Sequence, residues 1–300
     1  MSKSTFSRRS KIPYTVNTLD ELPEGLRERA LQKLEPGAKV DTIFVVPMQQ
    51  LASSFGVGRR TSLVPESALI FTDQGVLFVR DDEFEGQPSR SVYITHDQFF
   101  YMRLTLILLY GRLDLWGTQD NQPVKIEFVY NATGHELLQP VLHRFLHRSW
   151  TGQKGVLQPI PPENQKILAE LFQQSLKFSN GLRNYGLQRD ERLLGYAFQP
   201  RIVKRFLGLF PKISVPGCVA AFSENGFVLM QEGSSNATSY GWFITICHKR
   251  LLSDVEITVG EKMSTVAIKI NAGIKTETIN LEWEHQPAQE LKSLWLEHSD

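Results

Sequence analysis

Two long stretches of the chain repeat one pattern of apolar and polar positions. LEPGAKVDTIFVVP, residues 34–47, aligns without a gap on LQRDERLLGYAFQP, residues 187–200, pairing Leu34 with Leu187, Val40 with Leu193, Phe44 with Ala197 and Pro47 with Pro200. Both copies end a strand-like segment at proline. After a loop that differs by two residues, VPESALIFTDQGVLFV (64–79) aligns on VPGCVAAFSENGFVLM (215–230), setting Phe71 on Phe222 and Gly75 on Gly226. Each predicts a β-hairpin, with TDQG and SENG as its polar turn. The glycine is expected to supply a positive φ there. SVYIT and GWFIT continue each half as strands, followed by RLDLWG and STVAIKI, then VKIEFVY and TETINLEWE.

Helical spacing closes each half. In GHELLQPVLHRFLHRSW the apolar residues Leu138, Val141, Leu142, Phe145 and Leu146 form one stripe, which places His143 and His147 toward solvent. In QPAQELKSLWLEH the stripe is Leu291, Leu294 and Trp295, with Pro287 suited to a helix start. A helix also opens each half: ELPEGLRERALQKL in the first and PENQKILAELFQQSLKF, with Ile167, Leu168, Leu171, Phe172 and Leu176 aligned, in the second. The glycines and prolines of GQKGVLQPIPP break any regular element between them. The chain therefore divides into a basic tail at 1–16, a unit at 17–151, a linker at 152–162 and a unit at 163–300. Each unit reads as a helix, about seven short strands and a closing helix.

Composition narrows the function classes. The 300 residues are 41% hydrophobic and 22% charged, enough to bury cores of ordinary size. Lys plus Arg number 33 against 32 Asp plus Glu, far from the basic excess that a nucleic-acid backbone demands. Cys218 and Cys247 stand alone, forming neither a zinc pair nor a disulfide framework, and as strand residues they read as buried small hydrophobes. The first sixteen residues lack the apolar run of a signal peptide, and the longest apolar stretch, 104–110, is too short to span a bilayer. These features point to a cytoplasmic protein.

This order of elements resembles the bacterial pleckstrin-homology-like (PH-like) family, in two tandem copies. The resemblance rests on LPEGLRERALQKLEPGAKV before the first strand and on the ALIFTDQGVLFV hairpin, and it is weaker over 163–297. It implies an α+β fold of two PH-like units. Each would be a bent antiparallel sheet, a partly open barrel, with a preceding N-terminal helix and a C-terminal helix across one end. Members that bind phosphorylated lipids do so through basic residues in the loop after the first strand.

In the first half that loop is MQQLASSFGVGRRTSL (48–63), where Gly56 and Gly58 lead to Arg59 and Arg60, a candidate anion clamp. In the second half it is RIVKRFLGLFPKIS (201–214). There Arg201, Lys204, Arg205 and Lys212 surround Phe206, Leu207, Leu209 and Phe210, a basic rim around an apolar tip. Such a loop suits a protein partner, packing against the rest of the chain, or an anionic membrane surface. Residues 201–250 carry six Lys or Arg against two acids, and 251–300 four against nine, so the second half is polarised. The acidic DDEFE at 81–85 lacks calcium-loop spacing. His143 and His147 stand four apart on a helix, but Arg144 occupies the place where a zinc protease needs a glutamate.

No catalytic constellation, metal set or cofactor motif emerges. The sequence thus predicts a non-enzymatic adaptor, assembly factor or scaffold that binds protein partners through tandem PH-like units. The alternative is a peripheral membrane protein that binds anionic lipid through 201–214. An enzyme of unknown type is the third reading.

Overall fold

The computed structural model describes residues 12–53, 60–80, 90–154, 160–187, 191–206, 210–235, 238, 240–273 and 275–298. It is an α+β structure of mostly antiparallel sheets, which form no closed barrel among the described residues. In the first half β1 (Tyr14–Val16), α1 (Glu24–Lys33) and β2 (Val40–Val46) precede a ribbon of β3 (Gln49–Ser53) and β4 (Arg60–Val64). Then come β5 (Ser67–Thr72), β6 (Gly75–Arg80), β7 (Ser91–Thr95), β8 (Phe99–Ile107), β9 (Tyr110–Gln119), β10 (Gln122–Asn131) and α2 (His135–Thr151). The second half opens with α3 (Pro162–Gln174), α4 (Leu176–Gly181) and a π-helical turn at Leu182–Gly186. It continues through β11 (Leu193–Gln199), a ribbon of β12 (Ile202–Phe206) and β13 (Phe210–Val215), β14 (Cys218–Ser223), β15 (Gly226–Glu232) and β16 (Trp242–His248). β17 (Leu252–Val259), β18 (Ser264–Ala272), β19 (Lys275–Trp283) and α5 (His285–His298) complete it.

The aligned sequence repeats occupy matching elements. Val40 and Leu193 each begin a strand, and TDQG and SENG each join two paired strands. The glycine expectation is corrected. Neither Gly75 nor Gly226 has positive φ; among the described glycines that conformation belongs to Gly37, Gly152 and Gly273. Gly75 is needed because a methyl group there would overlap the carbonyl of Ile94 on β7. The turn is held instead by a hydroxyl: Thr72 Oγ1 accepts from the Gly75 amide at 3.0 Å, and Ser223 Oγ accepts from that of Gly226 at 3.0 Å.

The strands form a five-stranded sheet, β1-β2-β5-β6-β7, and a seven-stranded sheet, β10-β9-β8-β16-β15-β14-β11, with β17-β18-β19 as a third. The seven-stranded sheet crosses the midpoint of the sequence. β16 of the second half pairs antiparallel with β8 of the first, from Trp242 opposite Leu106 to Cys247 opposite Tyr101.

Period-two alternation decides which core each residue joins. Ile43 and Val45 face α1, where Leu26 and Ala30 are buried one turn apart, whereas Phe44 and Val46 face inward. The inward core continues through Leu138, Val141 and Phe145 of α2 into Val228, Met230, Ile244 and Ile246, which α3 and α4 cover with Leu168, Leu171 and Phe178. Tyr101 joins the other core, among Phe222, Phe227, Ile268 and Trp283. Its ring stacks on Trp116 at 5.5 Å, and its hydroxyl and the Arg103 guanidinium both bind Glu277 of β19. The outer edge of β17 is closed by α5, where Lys292 Nζ donates to the Val255 carbonyl at 2.6 Å and pairs with Asp254 at 3.3 Å.

The solvent-facing reading of His143 is also corrected. It is 7% exposed, because the α2 face that carries it meets Tyr185 and Ile246 of the second half. Cys218 and Cys247 are buried in strands, and burial pushes the Cys247 thiol up to about 12 and that of Cys218 upward too. Among the described residues no helix is long and apolar enough to cross a membrane.

Candidate functional site

The residues singled out by sequence do not act as one group. Arg201 points back into the protein, where its Nη2 and Nε each lie 2.6 Å from Glu232 Oε2. Glu232 is 6% exposed, and Lys177 Nζ reaches its other oxygen at 2.7 Å while the Gly217 amide donates at 3.3 Å. Arg201 therefore neutralises a buried carboxylate.

Lys204 and Lys212 are exposed, and the ribbon register sets them opposite each other, with Phe206 opposite Phe210 two positions further out. Like charges across a strand pair repel. Arg205 lies opposite Pro211 in the same register, while Leu207 and Leu209 fall outside the described residues. In the first half Arg60 pairs with Ser53 in the β3–β4 ribbon, and Arg59 and the DDEFE segment fall outside the described residues.

A large concavity lies elsewhere, between the halves. It is a cleft of about 1220 Å³ walled by the end of β8, the start of α2, α3 and the π turn. Its position follows from the local chemistry of each wall. Asn131 Oδ1 accepts from the Thr133 amide at 3.1 Å, folding a tight turn that delivers His135 and Glu136 as the first residues of α2. Across the cleft, Arg183, Asn184 and Tyr185 are three consecutive residues of the π turn, and all three line it. Gly186 lets that turn press on the sheet, since a methyl group would stand 2.8 Å from Leu182 and 3.0 Å from Val228. π turns are rare and concentrate at functional sites.

The mouth of the cleft is apolar and strained. Leu108 and Leu109 form the two-residue turn between β8 and β9; they are 77% and 60% exposed, and Leu108 lines the cleft. Leu108 adopts φ of 52°, a conformation that costs a residue with a β-carbon about 1–2 kcal/mol and that glycine or asparagine would adopt more readily. Continuing the β16–β8 register by two residues brings Tyr240, 80% exposed, to the same end of the sheet. A leucine held in a left-handed turn and facing water is the kind of outlier that points to a contact surface.

His135 forms the deep wall. It is 5% exposed, its Nδ1 lies 2.8 Å from the Tyr130 hydroxyl, and its Nε2 is buried with no partner. The Tyr185 ring lies 5.4 Å away. Burial, with a smaller contribution from neighbouring His143, pulls the His135 imidazole down to about 4, so it is neutral at pH 7. At the start of α5 in the second half, His285 Nδ1 lies 2.8 Å from Ser264 Oγ of β18.

A stability prediction follows. An imidazole whose folded pKa lies below its unfolded value of about 6.5 takes up its proton more readily in the unfolded chain. Folding stability is therefore full above about pH 6.5 and falls as the pH drops toward 4. The slope from one such group approaches about 1.4 kcal/mol per pH unit. Urea titrations at pH 7.5, 6 and 5 should show this fall, and His135→Gln should reduce its slope; a slope unchanged by that substitution would contradict it.

Among the described residues no cluster of three or more His, Cys, Asp or Glu side chains is placed to hold a metal ion. What the cleft offers is binding chemistry: apolar contact at its mouth, amide groups from Gln139, Gln165 and Asn184, a guanidinium from Arg183 and an unpartnered imidazole nitrogen. None of these residues was singled out by motif. The local signals were the apolar turn pair Leu108-Leu109 and the glycine-bounded GLRNYG segment at 181–186. No protein-family model matches the chain, and no curated protein matches it.

Proposed function

We propose that this chain is a non-enzymatic cytoplasmic adaptor. In this reading two PH-like units, joined through one sheet, dock a segment of a protein partner in the cleft between them. The observation that carries it is the cleft itself. Both halves build it, and its volume of about 1220 Å³ exceeds the ~300–1,000 Å³ usual for a small-molecule pocket. Its mouth also displays Leu108 in a strained, water-facing turn. The repeat supports the PH-like reading. In each half a four-stranded run, interrupted by a ribbon after its first strand, is followed by a three-stranded antiparallel run and a helix.

The test is selection of a displayed library of random short peptides on the full chain. Selected peptides should bind Leu108→Asp at least about tenfold more weakly, the loss expected of a central interface anchor. Aspartate tolerates the left-handed turn, so the variant should fold. Failure to recover any binding peptide, or equal binding to the variant, would contradict the adaptor reading.

A second reading, binding of an anionic membrane by the β12–β13 ribbon, is favoured by the opposed Lys204 and Lys212, which have no acidic partner among the described residues. Cosedimentation with phosphatidylserine vesicles separates the two. The membrane reading requires retention that is lost in Lys204→Glu/Lys212→Glu, and the adaptor reading requires none.

A further inference from the structure

We infer that the deep wall of the cleft is a built acceptor-binding site, in which the Nε2–H of His135 donates to a carbonyl or carboxylate oxygen of the bound peptide. The inference rests on the peptide-docking reading above and names the chemistry of its anchor point.

The tautomer follows from counting hydrogen bonds. His135 and Tyr130 share one bond, Nδ1 to hydroxyl at 2.8 Å, and Tyr130 is fully buried. If Nδ1 carried the proton, the phenolic hydrogen and the Nε2 lone pair would both be left unpartnered inside the protein. If the phenol donates to Nδ1, only the Nε2–H is left over. Each buried unpartnered polar group costs about 1–3 kcal/mol, so the second arrangement prevails. Burial raises the Tyr130 phenol and lowers the His135 imidazole, which keeps the pair in that neutral state.

Nε2 lies on the side of the ring away from Nδ1 and its Tyr130 partner. The Tyr185 ring stands 5.4 Å from that of His135, and both residues line the cleft. On this inference the Tyr185 ring, which belongs to the π turn, moves aside as the oxygen enters. Two further features favour an oxygen acceptor. The first turn of the 17-residue helix α2 lines the same wall with its positive dipole end, and Arg183 stands across the cleft. Glu136 on that first turn opposes a dianion. The site therefore suits a peptide carbonyl or a single carboxylate rather than phosphate.

The experiment uses the full chain labelled with ¹⁵N-histidine and the peptides recovered by library selection. The free protein should show His135 as the Nε2–H tautomer, and its Nε2 resonance should shift on addition of peptide but not of inorganic phosphate. His135→Phe keeps a ring but removes the donor, and should weaken the selected peptides about tenfold. If that variant fails to fold, Arg183→Glu, an exposed change, should weaken carboxylate-bearing peptides by a similar factor. An Nδ1–H tautomer, a peptide-insensitive Nε2, a response to phosphate, or unchanged affinity in the variant that folds would each overturn the inference. Where Leu108→Asp still weakens the peptides, the docking reading survives that failure; where no peptide is recovered, both fall.

Discussion

Replacing Tyr101 by alanine is expected to cost about 3–5 kcal/mol of stability, the loss typical of a large aromatic truncated in a core. It should also loosen the opposite half of the sequence. Tyr101 belongs to β8, yet its side chain is 1% exposed among Phe222, Phe227, Ile268 and Trp283 of the second half. Truncation removes the stack on Trp116 and one of the two groups that hold Glu277, whose carboxyl is pushed above its ordinary range by burial. Amide exchange in β18 and β19 should therefore accelerate with that of β8 and β9, and chemical unfolding should remain a single transition. Two separate transitions, with β18 and β19 unaffected, would contradict the joining of the halves through one sheet.

The second large effect concerns Arg201. Changing Lys177 and Arg201 together to alanine leaves Glu232 buried with the Gly217 amide as its remaining donor among the described residues, and should destabilise the protein by about 3–5 kcal/mol. Replacing all three side chains by methionine removes the charge along with its partners and should recover most of that loss. The comparison separates a structural ion pair from a binding residue. If Arg201 served a ligand instead, the double variant would keep its stability and lose only binding. Denaturant midpoints of the two variants decide between these outcomes.

Residues 34–47 and 187–200 show what local pattern can convey. The strand ends before Pro47 and Pro200, both hairpin turns and the four main helices were legible, because alternation, helical stripes and turn chemistry are written within a few neighbouring residues, although the helix read through Leu176 ends at Gln174 and leaves Phe172 and Leu176 exposed. The pairing of β16 with β8 was not, since two strands about 140 residues apart in sequence carry no local mark of their register. The same blindness hid the cleft, whose walls come from four elements, and misplaced His143, whose helix face looks polar until the second half covers it. Gly75 was identified as necessary for the wrong reason: the sequence suggests a backbone conformation, and the structure supplies a neighbouring carbonyl. Arg201 looked like one of four ribbon cations because nothing local reveals that Glu232, 31 residues on, is buried beneath it.

Hydrogen exchange with a selected peptide reads the cleft directly as the docking surface. Saturating the full chain with peptide should slow exchange at three separated segments together: 106–109 at the end of β8, 132–140 at the start of α2 and 183–186 in the π turn. Protection confined to the ribbon at 202–215, or protection at none of these segments, would contradict it.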